Sequence, residues 1–413
     1  MLFDQKLQNY ANIIVNIGLG LQAGQRLMIR CPVEAAPLTR LVAAGAYQAG
    51  ARLVEVLWHD DALTLARFNH APRDSFTEYP NWYGEALEKA AKHGDAVLTI
   101  YAYDPDLLNG QDQRLINLAQ RVSDEHLLPF RRYIMADQIN WCLISLPIPA
   151  WAAKIFPNDP PAVQMSKLWD VIFATCRADQ ADPLAAWRDH AAQLAARREY
   201  LNTKQYTALK YSAPGTDLIV GLPEHHLWEG GLSRTPRGVA FIANMPTEEV
   251  YTMPHKDKVN GVVTASKPLF YGTISGGTLI ENFTLTFENG RVVKAIAAKN
   301  ETTLTNMLNT DEGSARLGEV ALVPHSSPVA QSGLLFYNGL YDENAASHLA
   351  LGRAYKPCLQ NGIAMPDEEF AAAGGNYSLI HEDFMIGSAH MDVDGITRNG
   401  TVEPVMRGGE WAF

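Results

Sequence analysis

The spacing of apolar residues changes character near residue 205, and that change fixes most of what this chain can fold into. Before it, helix-period and strand-like stretches alternate. Residues 7–21 read as a helix, 25–29 as a short strand entering Cys31-Pro32, 35–49 as a helix stopped by Gly50, and 53–57 as an apolar run suited to a buried parallel strand. The beat continues through helical 61–68 and 83–93, strand 96–101, helical 113–122 and strand 141–146, and two more helices follow at 162–176 and 183–204. Strands separated by helices run parallel, with the crossover helices covering both faces. Residues 1–205 are therefore expected to form an α/β domain with a mainly parallel, doubly wound sheet.

From Thr207 the segments become short, alternating and punctuated by Gly, Pro and Asn. Asn289-Gly290 sits between the alternating residues 283–287 and Val292-Val293, the strongest short-range hairpin signal. Residues 206–413 are expected to form a mainly antiparallel α+β domain.

Composition narrows the partners. The 413 residues carry 34 basic and 45 acidic side chains, a net charge of −11, and no basic run longer than Arg131-Arg132 or Arg197-Arg198. Nucleic acid and anionic membrane surfaces are therefore excluded as main partners; a small, cationic ligand suits the charge better. No apolar stretch approaches the roughly 18 residues of a membrane span, and the first twenty residues, with Asp4, Lys6, Gln8 and Asn9, do not read as a secretory signal. Cys31, Cys142, Cys176 and Cys358 form no CxxC pair. They read as buried free thiols of a reducing compartment, and the expected location is the cytoplasm.

Gly18, Gly20 and Gly24 raise the question of a dinucleotide fingerprint, but the spacing is GxGxxxG and the glycines precede the first strand. No helix N-terminus follows to receive a pyrophosphate, so they read as a loop. The chemistry lies in the second half. A strand over 379–386 puts His381 and Asp383 on one face and Glu382 on the other. Residues 317–324 read as a buried strand carrying Glu319, which needs a proton, a cation or a metal among its apolar neighbours. Asp342 reads as the N-cap of a helix beginning at Glu343, with His348 and Tyr355 on one helical face if it runs through Gly352. Glu248 and Glu249 follow a Pro at the end of strand 239–243, with Glu249 the better placed to point inward.

Taken singly, each has a plain structural reading: a satisfied histidine, or in Glu343 a favourable charge at a helix N-terminus. Together, three glutamates, one aspartate and two histidines match borderline to hard divalent metals. Six ligands are too many for one catalytic zinc, whereas two metals sharing a bridging carboxylate would use them all.

Residues 213–218 (APGTDL), 244–252 (NMPTEEVYT), 318–324 (GEVALVP), 335–355 (LFYNGLYDENAASHLALGRAY) and 376–394 (NYSLIHEDFMIGSAHMDVD) resemble, in order and spacing, the thermophilic metalloaminopeptidase family of aminopeptidase T and aminopeptidase S type. The resemblance covers the whole chain, with its specific motifs in the second half. It implies a dinuclear site, zinc, cobalt or manganese, with ligands on Glu249, Glu319, Glu343, His348, His381 and Asp383, Glu319 bridging, and Tyr355 beside the metals. Glu248 stands where Gly is often expected, so Glu248 and Glu249 are alternatives for the first ligand, and either could carry a proton to the leaving amine. The implied activity is removal of N-terminal residues from small peptides by a homodimer with an enclosed site. Another dinuclear amidohydrolase, such as a dipeptidase or deacetylase, and a non-catalytic metal-containing binding protein are the rival readings.

Overall fold

The parallel sheet expected from the strand–helix alternation has four strands, in the order Leu53–His59, Arg26–Pro32, Ala96–Ile100, Trp141–Ile144. In this computed structural model, which describes residues 1–273 and 276–413, the sheet belongs to a compact unit made of Met1–Ala191, Leu232–Pro246 and Gly272–Gly277. Helices Phe3–Ile13, Ala36–Gln48, Asp61–His70, Asn81–His93, Gln113–Met135 and Pro161–Thr175 lie where helical periodicity puts them. One strand corrects the expectation. Leu53–His59 is the outer strand, hydrogen-bonded on one side only, and none of its residues is buried. Apolar content alone does not separate an edge strand from a central one.

Gln113–Met135 outruns the expected 113–122 because it is amphipathic, burying Leu115, Ile116, Leu127 and Phe130 around a polar stretch. Gly18 closes a π-helical segment, Ile14–Gly18, and Gly20 and Gly24 lie in the connection before the first strand with φ of 51° and 81°. All four cysteines are buried and unpaired. Among the described residues, no helix is long and apolar enough to cross a membrane.

The second unit, Ala192–Gly231, Thr247–Tyr271 and Thr278–Phe413, is antiparallel. Strands Val259–Thr264, Thr216–Gly221, Ala208–Ala213, Asp392–Ile396 and Val402–Arg407 lie side by side in a nine-stranded sheet. Leu209, Tyr211, Leu218, Val220, Phe283 and Leu285 of that sheet share one core with Val250, Val320, Leu322, Leu349, Leu351 and Phe384 of a four-stranded sheet. Because the large apolar side chains of the smaller sheet turn into this core, its other face is left for polar groups.

The hairpin forms as expected. Glu288 pairs with Arg291 across Asn289 and Gly290, whose φ values of 47° and 81° are both positive, as a two-residue type I′ turn requires. A Cβ on Gly290 would collide with the Lys256 carbonyl oxygen. Gly290→Ala should therefore destabilise the protein by about 1–3 kcal/mol in thermal or urea denaturation, while Asn289→Gly, which relieves a positive φ, should cost much less; equal stability of Gly290→Ala and wild type would contradict this account of the turn.

Candidate metal centre

Four antiparallel strands form the platform of the site, in the order His381–Met385, His348–Gly352, Leu317–Leu322, Val250–Thr252. Ala350 lies opposite Glu319 on one side and Asp383 on the other, His348 lies opposite Ala321 and Met385, and Gly352 opposite His381. Directly opposed residues share a face, as do residues two apart along a strand. Glu319, His348, His381 and Asp383 therefore project from one face while Leu349, Leu351 and Phe384 enter the core. Glu382 pairs with Leu351 and takes the other face, as alternation requires; burial pushes its carboxyl up to about 8.

Glu319 reaches this face through an irregularity. Leu317 pairs with Leu351 and Glu319 with Ala350, so the register slips by one residue at Gly318. Without the slip, Glu319 would share the core-facing side of Leu317, two residues earlier. A Cβ at Gly318 would collide with the carbonyl oxygens of Gly352 and Arg353, so glycine is what lets the chain bulge here.

The segment expected to be one helix from Glu343 is not. A short helix, Gly339–Asp342, passes into a 3-10 turn, Glu343–Ala345; Ala346 is extended at φ −168°, and His348–Gly352 is the fully buried strand between two partners. Sheet pairing on both sides overrides the helix propensity of this Ala/Leu-rich run. Asp342 ends the short helix and stands at the N-cap position of the 3-10 turn, but its side chain does not cap that turn: its carboxylate accepts the backbone N–H groups of Phe336 (2.7 Å) and Asn338 (3.0 Å). Burial raises its pKa to about 6. Tyr355 follows the strand, and its ring lies 4.5 Å from that of His381.

The side-chain tips converge. His348 Nε2 lies 3.2 Å from Glu249 Oε2, 3.4 Å from Glu319 Oε1 and 3.9 Å from Asp383 Oδ1. His381 Nε2 lies 3.7 Å from Glu319 Oε2 and 3.5 Å from Asp383 Oδ1. Two groups able to hold a metal ion emerge, Glu249–Glu319–His348 and Glu319–His381–Asp383, with Glu319 common to both. Glu343 stands beside them: burial, then the charges of Glu249 and Asp383, raise its carboxyl well above the usual range.

The donors are arranged for a cation. Each imidazole commits Nδ1 to a backbone carbonyl, His348 to Ala346 (3.2 Å) and His381 to Arg353 (2.7 Å). With Nδ1 as donor, each Nε2 turns a lone pair toward carboxylate oxygens, an arrangement that is repulsive unless a proton or a metal lies between. Glu249 Oε2 and Asp383 Oδ1 are buried, and the groups that face them are the Nε2 atoms of His348 and His381. A proton suits the same place: burial disfavours a charged His348, yet Glu249 and Glu319 outweigh it and hold its pKa well above the ordinary value, and His381, facing Asp383, rises against burial to about 10.

The adjacent glutamates divide. Glu249 joins His348, whereas Glu248 is buried with its backbone N–H donating to Asn344 Oδ1 (2.7 Å), and its charge acts on Arg197. Sequence reasoning did not single out Gly318, Asn344 or Ala350. The legible signal was a glycine immediately before a buried-strand glutamate.

Chelation should lower the thermal midpoint, because it leaves these carboxylates and imidazoles facing one another without a cation, and divalent ions should restore it in proportion to the logarithm of their concentration. An ion held between these groups would have to displace the protons that His348 and His381 hold, so its binding should weaken as pH falls. A midpoint indifferent to chelator and metal would contradict the metal reading.

Comparison with known proteins follows the same lines. The family model described as Thermophilic metalloprotease (M29) matches residues 3–411. Aminopeptidase 2 of Geobacillus stearothermophilus is 48% identical over 411 residues, covering 100% of this chain and 98% of that protein. Aminopeptidase T of Thermus thermophilus is 42% identical, covering 99% of each. The solved structure of wild-type AmpT from Thermus thermophilus superimposes with a TM-score of 0.94 at 40% identity, covering 100% of both chains. A 2,5-dihydroxypyridine dioxygenase from Pseudomonas putida KT2440 superimposes with a TM-score of 0.57 at 12% identity, covering 100% of this chain and 98% of that one, a likeness of fold alone.

Proposed function

The chain belongs to the M29 family of thermophilic metalloproteases, and from that membership we propose that it is a dinuclear aminopeptidase releasing N-terminal residues from small peptides. The metal-dependent peptidase activity comes with the family; the two-ion mechanism and the residue roles are our reading. The observation that carries it is Glu319, whose two carboxylate oxygens face different histidines, Oε1 toward His348 and Oε2 toward His381. A carboxylate so placed suits a bridge between two cations. We assign Glu249, Glu343 and His348 to one side of it and His381 and Asp383 to the other.

Divalent ions such as zinc, cobalt or manganese, held there, supply Lewis acidity that polarises a carbonyl and brings the pKa of water to about 7. The chain's own groups do the rest. The backbone carbonyls of Ala346 and Arg353 fix the orientation and tautomer of the two imidazoles. Tyr355, packed on His381, donates its phenolic hydrogen to the oxyanion of the tetrahedral intermediate. Burial, then the neighbouring carboxylates, raise the Tyr355 pKa well above its usual value, so the phenol keeps the proton that it donates. Glu248, next in sequence to Glu249, would take up the proton released as water is activated and pass it to the leaving amine. The acidic surroundings favour a free α-ammonium over a blocked N-terminus, which distinguishes an aminopeptidase from a deacetylase. The homodimer is carried over from the family resemblance; the four unpaired thiols support a reducing, cytoplasmic location.

The test separates ligands from proton carriers. Glu249→Gln should lose metal, whereas Glu248→Gln should keep it and lower kcat on Leu-p-nitroanilide by about 100-fold or more. Tyr355→Phe should likewise keep its metal and lose about 100-fold to 1,000-fold in kcat. Loss of metal in Glu248→Gln with retention in Glu249→Gln would reverse the assignment, and cleavage of N-acetylated amino acids in preference to free-amine substrates would favour a deacetylase.

A further inference from the structure

The residues between the ligands are as selective as the ligands. On the site face of the two central strands, Glu319 and His348 alternate with Ala321, Ala350 and Gly352. Gly352 is needed for the backbone, since its φ is +100° and a Cβ would collide with the Ile380 carbonyl oxygen. No such constraint acts at Ala350. It lies in a central strand, where β-branched side chains are the favoured choice, and its neighbours Leu349 and Leu351 are full-sized core residues.

Ala350 has a particular place. Glu319 and Asp383 are its direct partners on the two flanking strands. Directly opposed Cβ atoms in antiparallel strands lie about 5 Å apart, so those of Glu319 and Asp383 stand roughly 10 Å apart with Ala350 midway between them. His348 precedes it by two residues on the same face, and His381 approaches from the next strand. On this face the Nε2 atoms of His348 and His381 each lie 3.4–3.9 Å from carboxylate oxygens of Glu319 and Asp383. Ala350 is completely buried, so a longer side chain there has no solvent to turn into.

We propose that Ala350 is the spacer of the metal site: its single methyl group sets the depth of the floor between Glu319 and Asp383 and leaves the room that two ions require. The inference rests on the dinuclear reading above. It makes the capacity of the site a property of a residue that touches no substrate and offers no donor atom, a positioning residue that acts through Glu319 and Asp383.

The experiment measures divalent metal per chain by elemental analysis on full-length wild type, Ala350→Gly, Ala350→Ser and Ala350→Val after loading with zinc or cobalt, with circular dichroism of each. Wild type and Ala350→Gly should hold two ions. Ala350→Val should keep the wild-type spectrum, hold fewer than two, and lose about 100-fold or more in Leu-p-nitroanilide turnover, the scale expected when reacting groups are displaced by about 1 Å. If valine prevents folding, Ala350→Ser, one atom larger than alanine, carries the test and should weaken metal binding about tenfold or more. Two ions held with wild-type affinity by Ala350→Val, or by Ala350→Ser where valine does not fold, would overturn the spacer role, as would metal loss in Ala350→Gly. One ion in wild type would instead overturn the dinuclear reading, and the spacer role with it.

Discussion

Everything at the centre depends on one electrostatic constraint. Glu249, Glu319 and Asp383 are held against the Nε2 atoms of His348 and His381, while both Nδ1 atoms are committed to backbone carbonyls. Removed from water, such a group of acceptors is unstable by itself; a proton or a metal must neutralise it. The surrounding structure prevents relaxation. Four strands are locked in register, and the reverse face of their sheet is buried in a core shared with the nine-stranded sheet. The hydrophobic effect thus maintains the electrostatic tension that makes the site bind cations.

Two local devices make that arrangement possible. The slip at Gly318 turns Glu319 away from the core, and the Asn344 side chain accepts the backbone N–H of Glu248, immediately before Glu249, while donating to the Leu340 carbonyl. The first acts within a strand; the second ties a strand approach to a helical turn. Both are small in sequence and both decide where a carboxylate points.

These particulars explain what was legible beforehand. Alternation exposed His381, Asp383 and the opposite orientation of Glu382, because period two survives in a regular strand. The buried strand around Glu319 was legible from its apolar neighbours, and the Asn289-Gly290 turn from its chemistry. The helix assigned through His348 was wrong because Ala, Leu and Ser carry little local preference for strand; two flanking strands, distant in sequence, decide that stretch. Leu53–His59 looked central for a related reason, since its place at the sheet edge depends on strand order. The grouping of the candidate acidic and histidine residues came from their donor chemistry, and the resemblance to a metalloaminopeptidase family falls on the same residues, which no single stretch of sequence contains.

The most direct measurement is anomalous diffraction at the zinc or cobalt absorption edge from crystals of the metal-loaded protein. Two anomalous peaks, each beside one carboxylate oxygen of Glu319, with His348 next to one and His381 next to the other, are what this account requires. A single peak, or peaks away from Glu319, would contradict it.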